Sequence, residues 1–147
     1  MDSSLNDQLT LFAPFRVTSA DTDMQGRLRP GALVNMLIQS AIQSADALGL
    51  GFKGLSRENL FWVLSRMTVE IDRILVWNEE VVVETWPKSI EGLLYLRDYL
   101  VRNGNGNIIA RATSGWLAVD FESKRPKNFE GYNLNKGTIA FRGKLDY

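Results

Sequence analysis

The sequence predicts an α+β fold in which a long antiparallel β-sheet wraps around one central helix. Three observations carry this. Apolar and small residues recur at helical spacing over 30–48. From Leu60 onward the apolar period changes to two. Asn103-Gly104-Asn105-Gly106 then separates two of the alternating runs with a hairpin signal.

The elements follow in order. Residues 11–19 alternate as a first strand, with Phe12, Phe15 and Val17 as its apolar members, and a glycine-bearing loop over 20–29 comes next. Pro30 suits the first position of a helix. Leu33, Met36, Leu37, Ser40, Ala41, Ser44, Ala45 and Leu48 then give that helix one apolar face. The many small residues on this face predict a helix lying close to the sheet, and Gly49 and Gly51 end it. In the run after Leu60, Phe61, Val63, Ser65, Met67, Val69 and Ile71 point one way, and Trp62, Leu64, Arg66, Thr68, Glu70 and Asp72 the other. Further strands are predicted over 80–86, 93–102 and 108–121. In the last, Ala110, Ala112, Ser114 and Ala118 share a face with Ile108 and Trp116, which predicts that this strand crosses the helix at the centre of the sheet.

The order β-α-β-β-β-β defines a hot-dog fold. Residues 1–147 read as one such domain, with a flexible N-terminus over 1–9 and an exit arm or linker over 126–147. One helix covers only one face of a curved sheet. The exposed edge and long apolar strands therefore predict a homodimer or a dimer of dimers.

Composition narrows the function. The 147 residues suffice for one core, and 45% hydrophobic with 23% charged residues reads as soluble and globular. Seventeen basic residues balance seventeen acidic ones, which gives no support for nucleic acid as a partner. Cysteine and histidine are both absent, which excludes thiol nucleophiles, disulfides, Ser-His-Asp catalysis and the usual zinc sites. No metal or cofactor is expected, and any catalysis must use Asp, Glu, Lys, Tyr, Ser or Thr with backbone amides. The polar segment 1–8 lacks the basic and apolar regions of a signal peptide, and no apolar run approaches the length of a membrane span. The cytoplasm is the expected compartment.

The most informative stretch is Asp21-Thr22-Asp23-Met24-Gln25-Gly26-Arg27, delivered to the start of the helix. A carboxylate there can act as base or nucleophile, and unpaired amides at a helix start can hold an oxyanion. Asp23 is the candidate nucleophile or general base; its alternative is a carboxylate capping its own turn. Acyl-thioester chemistry needs both such a carboxylate and such amides, and for it Gln25 can orient a water or bind the thioester oxygen, while Gly26 can supply a special backbone conformation. Arg27 can bind a phosphate of the pantetheine arm or pair with Asp23, which would make the acid a weaker base. Asn35 and Gln39, one helical turn apart, are candidates for the thioester end of a pocket. Phe61, Trp62 and Val63, with Leu33, Met36 and Leu37, either border an acyl tunnel or pack the core. Arg97, Arg111 and Lys124-Arg125-Pro126-Lys127 either meet an acidic carrier or CoA phosphate or form solvated faces. The segment Gly49-Leu50-Gly51-Phe52-Lys53-Gly54 only weakly suggests a phosphate loop, since it follows a helix and lacks the Lys-Ser/Thr ending.

Two stretches carry a family resemblance. The loop Asp21-Thr22-Asp23-Met24-Gln25-Gly26 resembles the DTDxxG loop of 4-hydroxybenzoyl-CoA-type hot-dog thioesterases. The run Phe61-Trp62-Val63-Leu64-Ser65-Arg66-Met67, with Asp72-Arg73, Trp77, Glu84-Thr85-Trp86-Pro87, Arg97-Asp98 and Arg111-Ala112-Thr113-Ser114-Gly115-Trp116, is similar to acyl-ACP thioesterases of plants and bacteria, over about 15–126. That resemblance is to the N-terminal of the family's two hot-dog domains. It implies hydrolysis of a fatty acyl-ACP or acyl-CoA to a free acid and a carrier thiol, in fatty acid biosynthesis. The family's catalytic Asp-x-Asn-x-His loop belongs to the C-terminal domain. In the equivalent loop here Asp23 keeps the carboxylate, Gln25 stands for the Asn and Arg27 for the His. The family's strand glutamate falls nearest Ile74, which lacks that chemistry. If the chain pairs with itself, the 4-hydroxybenzoyl-CoA-type logic implies that Asp23 suffices. The rival reading is a non-catalytic acyl-chain or carrier-protein binding module; a dehydratase or a structural dimerisation domain are further rivals.

Overall fold

The computed structural model describes residues 9–128. Five strands form one antiparallel sheet: β1 (Leu11–Arg16), β2 (Leu60–Ile71), β3 (Glu80–Glu91), β4 (Leu94–Arg102) and β5 (Ile108–Asp120). Their order across the sheet is β1-β3-β4-β5-β2. The long helix α1 (Pro30–Ala47) lies on one face, and a short helix α2 (Phe52–Arg57) follows it. This is the predicted α+β hot-dog arrangement. The centre of the sheet is β4 rather than β5, however, and α1 runs closest to β3 and β1. The reason lies in the side chains. Leu33, Met36 and Leu37 of α1 are buried with Val81 and Val83 of β3, and this apolar contact fixes where the helix lands.

Helix α1 starts at Pro30, whose missing N–H costs nothing at that position. It ends in a Schellman arrangement. The Leu50 amide donates to Ala45 O at 2.7 Å and the Gly49 amide to Asp46 O at 3.1 Å, with Gly49 at φ +76°. Helix α2 was not anticipated by the sequence reading. A Cβ on Gly54 would lie 2.1 Å from Gly49 O, so the segment rich in glycine is a tight helix-to-helix connection rather than a phosphate loop.

In β2 the register slips between Leu64 and Arg66. A bulge of one residue moves later side chains to the opposite face. Leu60 and Trp62 therefore face the helix side before it, while Met67 and Val69 do so after it. The strict alternation expected through Ile71 holds only in halves. In β1 Ala13 is buried and Phe12 exposed, and Val17, just past the strand's end, is buried.

The core is divided. One cluster joins the first half of α1 to β1, β3, β4 and β5 through Leu33, Met36, Leu37, Val83, Tyr99 and Ala112. A second joins Leu9, Leu50, Leu55, Leu60, Tyr95 and Ala118. Leu9, expected within a flexible terminus, is thus buried. Residues 1–8 lie outside the described residues. After β5 the chain folds back: Pro126 bridges Val119, and the Lys127 amide donates to Ala118 O at 2.8 Å. The start of the expected exit arm is therefore held against the sheet, and 129–147 lie outside the described residues. Among the described residues no helix is long and apolar enough to cross a membrane.

Candidate functional site

The Asp23 loop is a closed turn. Thr22 and Leu28 bridge its two arms, and the Asp23 amide donates to Arg27 O at 2.8 Å. Asp23 Oδ1 accepts the amides of Gln25 at 2.8 Å and Arg27 at 3.0 Å, and Oδ2 accepts Arg27 Nε at 3.2 Å. The Arg27 amide first, then the Gln25 amide and the guanidinium, hold the Asp23 carboxyl below the usual range. Asp23 is therefore ionised, and its side chain remains 39% exposed. Gly26 adopts φ +77°, a conformation that glycine tolerates best, and its carbonyl accepts the Trp77 amide at 2.7 Å. Gln25 and Met24 are exposed at the tip. Asp21 accepts the Thr18 hydroxyl at 2.9 Å, a bond internal to the loop.

The cavity lies elsewhere. About 280 Å³ opens between the C-terminal half of α1, the α1–α2 connection and the sheet, where the two core clusters meet. Ala41 and Ala45 form its helix wall, Phe61, Trp62, Tyr95 and Trp116 its sheet wall. Phe52 and Ile42 stand exposed among its lining residues. Of the small residues of α1, expected to bring the helix close to the sheet, Ser40 and Ser44 are buried, whereas Ala41 and Ala45 border this open space. Arg97 also lines the cavity. Its Nη1 donates to Ser44 Oγ at 2.9 Å and to Thr85 Oγ1 at 3.3 Å, which ties α1 to the two central strands. Trp62 Nε1 donates to Leu50 O at 2.8 Å and holds the α1–α2 connection in place.

The candidates from sequence thus fall into separate places. Asp23, Gln25, Gly26 and Arg27 share the turn before α1. Phe61 and Trp62 line the cavity, while Val63 is exposed on β2 and outside it. Asn35 and Gln39 are exposed on α1, since the apolar stripe turns the opposite face of the helix to the sheet. Arg97 is buried, and Arg111 pairs with Asp72 through two bonds of 3.0 and 2.7 Å, so neither forms a solvated face. Lys124 sits over the Phe61 and Phe121 rings at 5.9 and 5.6 Å, and Lys127 pairs with Asp120 at 3.5 Å. Sequence reasoning missed Ala41, Ala45, Leu55, Tyr95 and Trp116 as cavity residues. The alternation of alanine and serine late in α1 opposite four aromatics was the available signal.

A five-stranded sheet wrapped on one long helix, with an apolar cavity between them, defines a hot-dog domain. The family model for the acyl-ACP thioesterase N-terminal domain matches residues 10–131, and the chain belongs to that family. A palmitoyl-acyl carrier protein thioesterase of Gossypium hirsutum is 33% identical over 97% of this chain and 34% of its own length. An acyl-ACP thioesterase structure from Bacteroides thetaiotaomicron superimposes with TM-score 0.83 at 27% identity, covering 92% of this chain and 54% of that one. A DHNA-CoA thioesterase structure from Staphylococcus aureus shares the fold with TM-score 0.76 at 15% identity, covering 87% and 86%. The chain spans about a third of the length of the curated relatives it matches.

Proposed function

We propose that this chain takes the hydrocarbon tail of an acyl-ACP or acyl-CoA into the cavity beside α1 and takes part in hydrolysis of the thioester while paired with a second hot-dog domain. The position of the cavity carries this reading: it is apolar and lies at the far end of α1 from Asp23. At 1.5 Å rise per residue, Pro30 and Ala45 are roughly 20 Å apart. That is far beyond the hydrogen-bond reach a general base needs. With the tail in the cavity and the thioester at its mouth, we read the carboxylate that meets the thioester as one from the paired domain. In a homodimer this is Asp23 of the second copy.

Hydrolysis adds water to the thioester carbon and releases a free acid and the carrier thiol. Backbone amides would stabilise the tetrahedral oxyanion between them, an effect of several kcal/mol in such sites. Of the two roles open to Asp23, its geometry suits a nucleophile better than a base, because a depressed carboxyl is ionised but holds protons weakly. Arg27 is the exposed partner whose departure would free Oδ2. Pairing along β2 is supported by its position as an edge strand of the sheet, with Val63 and Ile71 exposed.

One observation favours a second reading, a binding module without turnover. Asp23 already engages both oxygens with its own turn. Hydrolysis of decanoyl-ACP and decanoyl-CoA by the native chain and Asp23→Asn separates the two. Turnover lost in a folded variant supports the hydrolase; tail binding without turnover by the native chain supports the module.

A further inference from the structure

We propose that Asp46 is the general base of the water step: it takes the proton of the water that frees the acyl group from Asp23 of the paired copy. This rests on the reading that the thioester meets that Asp23 at the mouth of the cavity. Attack by Asp23 joins its oxygen to the acyl carbon, breaks the carbon–sulfur bond and releases the thiolate. It leaves a mixed anhydride, and a second group must then activate water. The chain has no histidine for that task. Water adds to the acyl carbon and passes a proton to Asp46. The bond to Asp23 breaks, the acid leaves, and Asp46 gives its proton to solvent.

The mouth narrows the choice of base. Tyr95 and Arg97 are the ionisable residues that line the cavity, and Asp46, Lys53 and Asp98 each stand one residue from its lining. Arg97 and Lys53 are cations and cannot take a further proton. The Tyr95 hydroxyl donates to Asn128 Oδ1 at 3.2 Å. Asp98 is fully buried, and its Oδ1 accepts the Thr113 hydroxyl at 2.7 Å. Asp46 is exposed, and no other described residue bonds its carboxylate. It follows Ile42, an exposed lining residue, by one helical turn. Its Oδ1 lies 1.6 Å from the place a Cβ on Gly51 would take, and Gly51 lines the cavity. The carboxylate therefore stands at the edge of the opening. Gly51 has an ordinary φ of −80°, so what it provides is room for that carboxylate.

The test is rapid-mixing measurement of thiol release from decanoyl-CoA and decanoyl-ACP by the native chain and Asp46→Asn, an isosteric change at an exposed position. Asp46→Asn is expected to keep a first burst of thiol, as Asp23 becomes acylated, and to lose steady-state turnover about a hundredfold. Hydroxylamine, a nucleophile that needs no base, is expected to restore turnover in the variant and to yield decanohydroxamate. Gln43→Ala, at an exposed position of the same helix, leaves burst and turnover as in the native chain. Steady-state turnover of Asp46→Asn within twofold of native overturns this inference. So does loss of the burst together with turnover, or a variant that hydroxylamine does not rescue. Each of these leaves the Asp23 reading standing if the native chain turns over and Asp23→Asn does not. No thiol release by the native chain from either substrate overturns both.

Discussion

Asp23 and Arg27 meet twice: Oδ1 accepts the Arg27 amide at 3.0 Å while Oδ2 accepts its guanidinium Nε at 3.2 Å. The two bonds differ in kind. The amide bond belongs to the turn and is shared with Gln25, whereas the guanidinium bond joins two exposed side chains and contributes little to stability. Asp23→Asn keeps an oxygen acceptor for both amides, so the turn survives. Asp23→Ala leaves both amides without it. Thermal melts are expected to rank Asp23→Ala clearly below Asp23→Asn, with Arg27→Ala close to native. Equal melts for the two Asp23 variants would show that the turn does not depend on that acceptor.

The pH dependence follows from the carboxylates. Asp23, Asp72, Glu79 and Asp120 are all held below their usual range: by the Arg27 amide, the Arg111 side chain, the Arg73 side chain and the Ser123 amide respectively. A carboxyl depressed in the folded state adds stability that is complete above its unfolded value, about 4, and is lost as pH falls through the folded value. The chain has no histidine, whose titration would otherwise fall between. Urea midpoints are expected to be flat from about pH 5 to 8 and to fall below about 4. Hydrolysis depending on Asp23 alone should show the same flat region. A rate profile with an inflection near 6.5 would place a histidine from another chain in the site.

The α1–α2 connection is expected to be intolerant of a single methyl group. At Gly54 a Cβ would stand 2.1 Å from the Gly49 carbonyl, a backbone atom fixed by the end of α1. Gly54→Ala is predicted to cost about 2 kcal/mol, as overpacking does elsewhere. Because Leu50, Gly51 and Phe52 line the cavity, it should also weaken fatty acid binding. Denaturant unfolding and titration of the same sample check both.

Pairing along β2 predicts a definite lesion. Val63 and Ile71 are exposed on this edge strand, and lysine at both positions charges the edge against a neighbour. Light scattering should find the native chain associated and Val63→Lys/Ile71→Lys reduced to monomer, with unchanged circular dichroism. Association unaffected by both charges would move the interface off β2.

Much of the fold was legible because its signals are local. Pro30, the stripe from Leu33 to Leu48, Gly49 and the turn at Asn103–Gly106 each act over a few residues, and each stands where the periodicity put it. The bulge at Ser65 was not legible. A slip of one residue is set by pairing with β5 and leaves no mark in the alternation before it. The site was legible only in part. The turn of Asp23 is local, and its Oδ1 accepts two amides of that turn, as the capping alternative expects. The cavity depends on which strands face late α1, so in sequence Ala41 and Ala45 carry only a close-packing signal, and their shared cavity with Trp62 and Trp116 exists only in the fold. Arg97 read as a surface charge for the same reason: its partners Ser44 and Thr85 are distant in sequence.

The central claim is that the acyl tail lies in the cavity beside late α1. Photolabelling with a fatty acid carrying a diazirine at its terminal carbon, followed by peptide mass spectrometry, reads this directly. The account predicts label on the segment carrying Ala41, Ala45 and Leu55 and on Trp62, Tyr95 or Trp116, suppressed by excess decanoate. Label confined to the turn from Thr22 to Leu28 would contradict it.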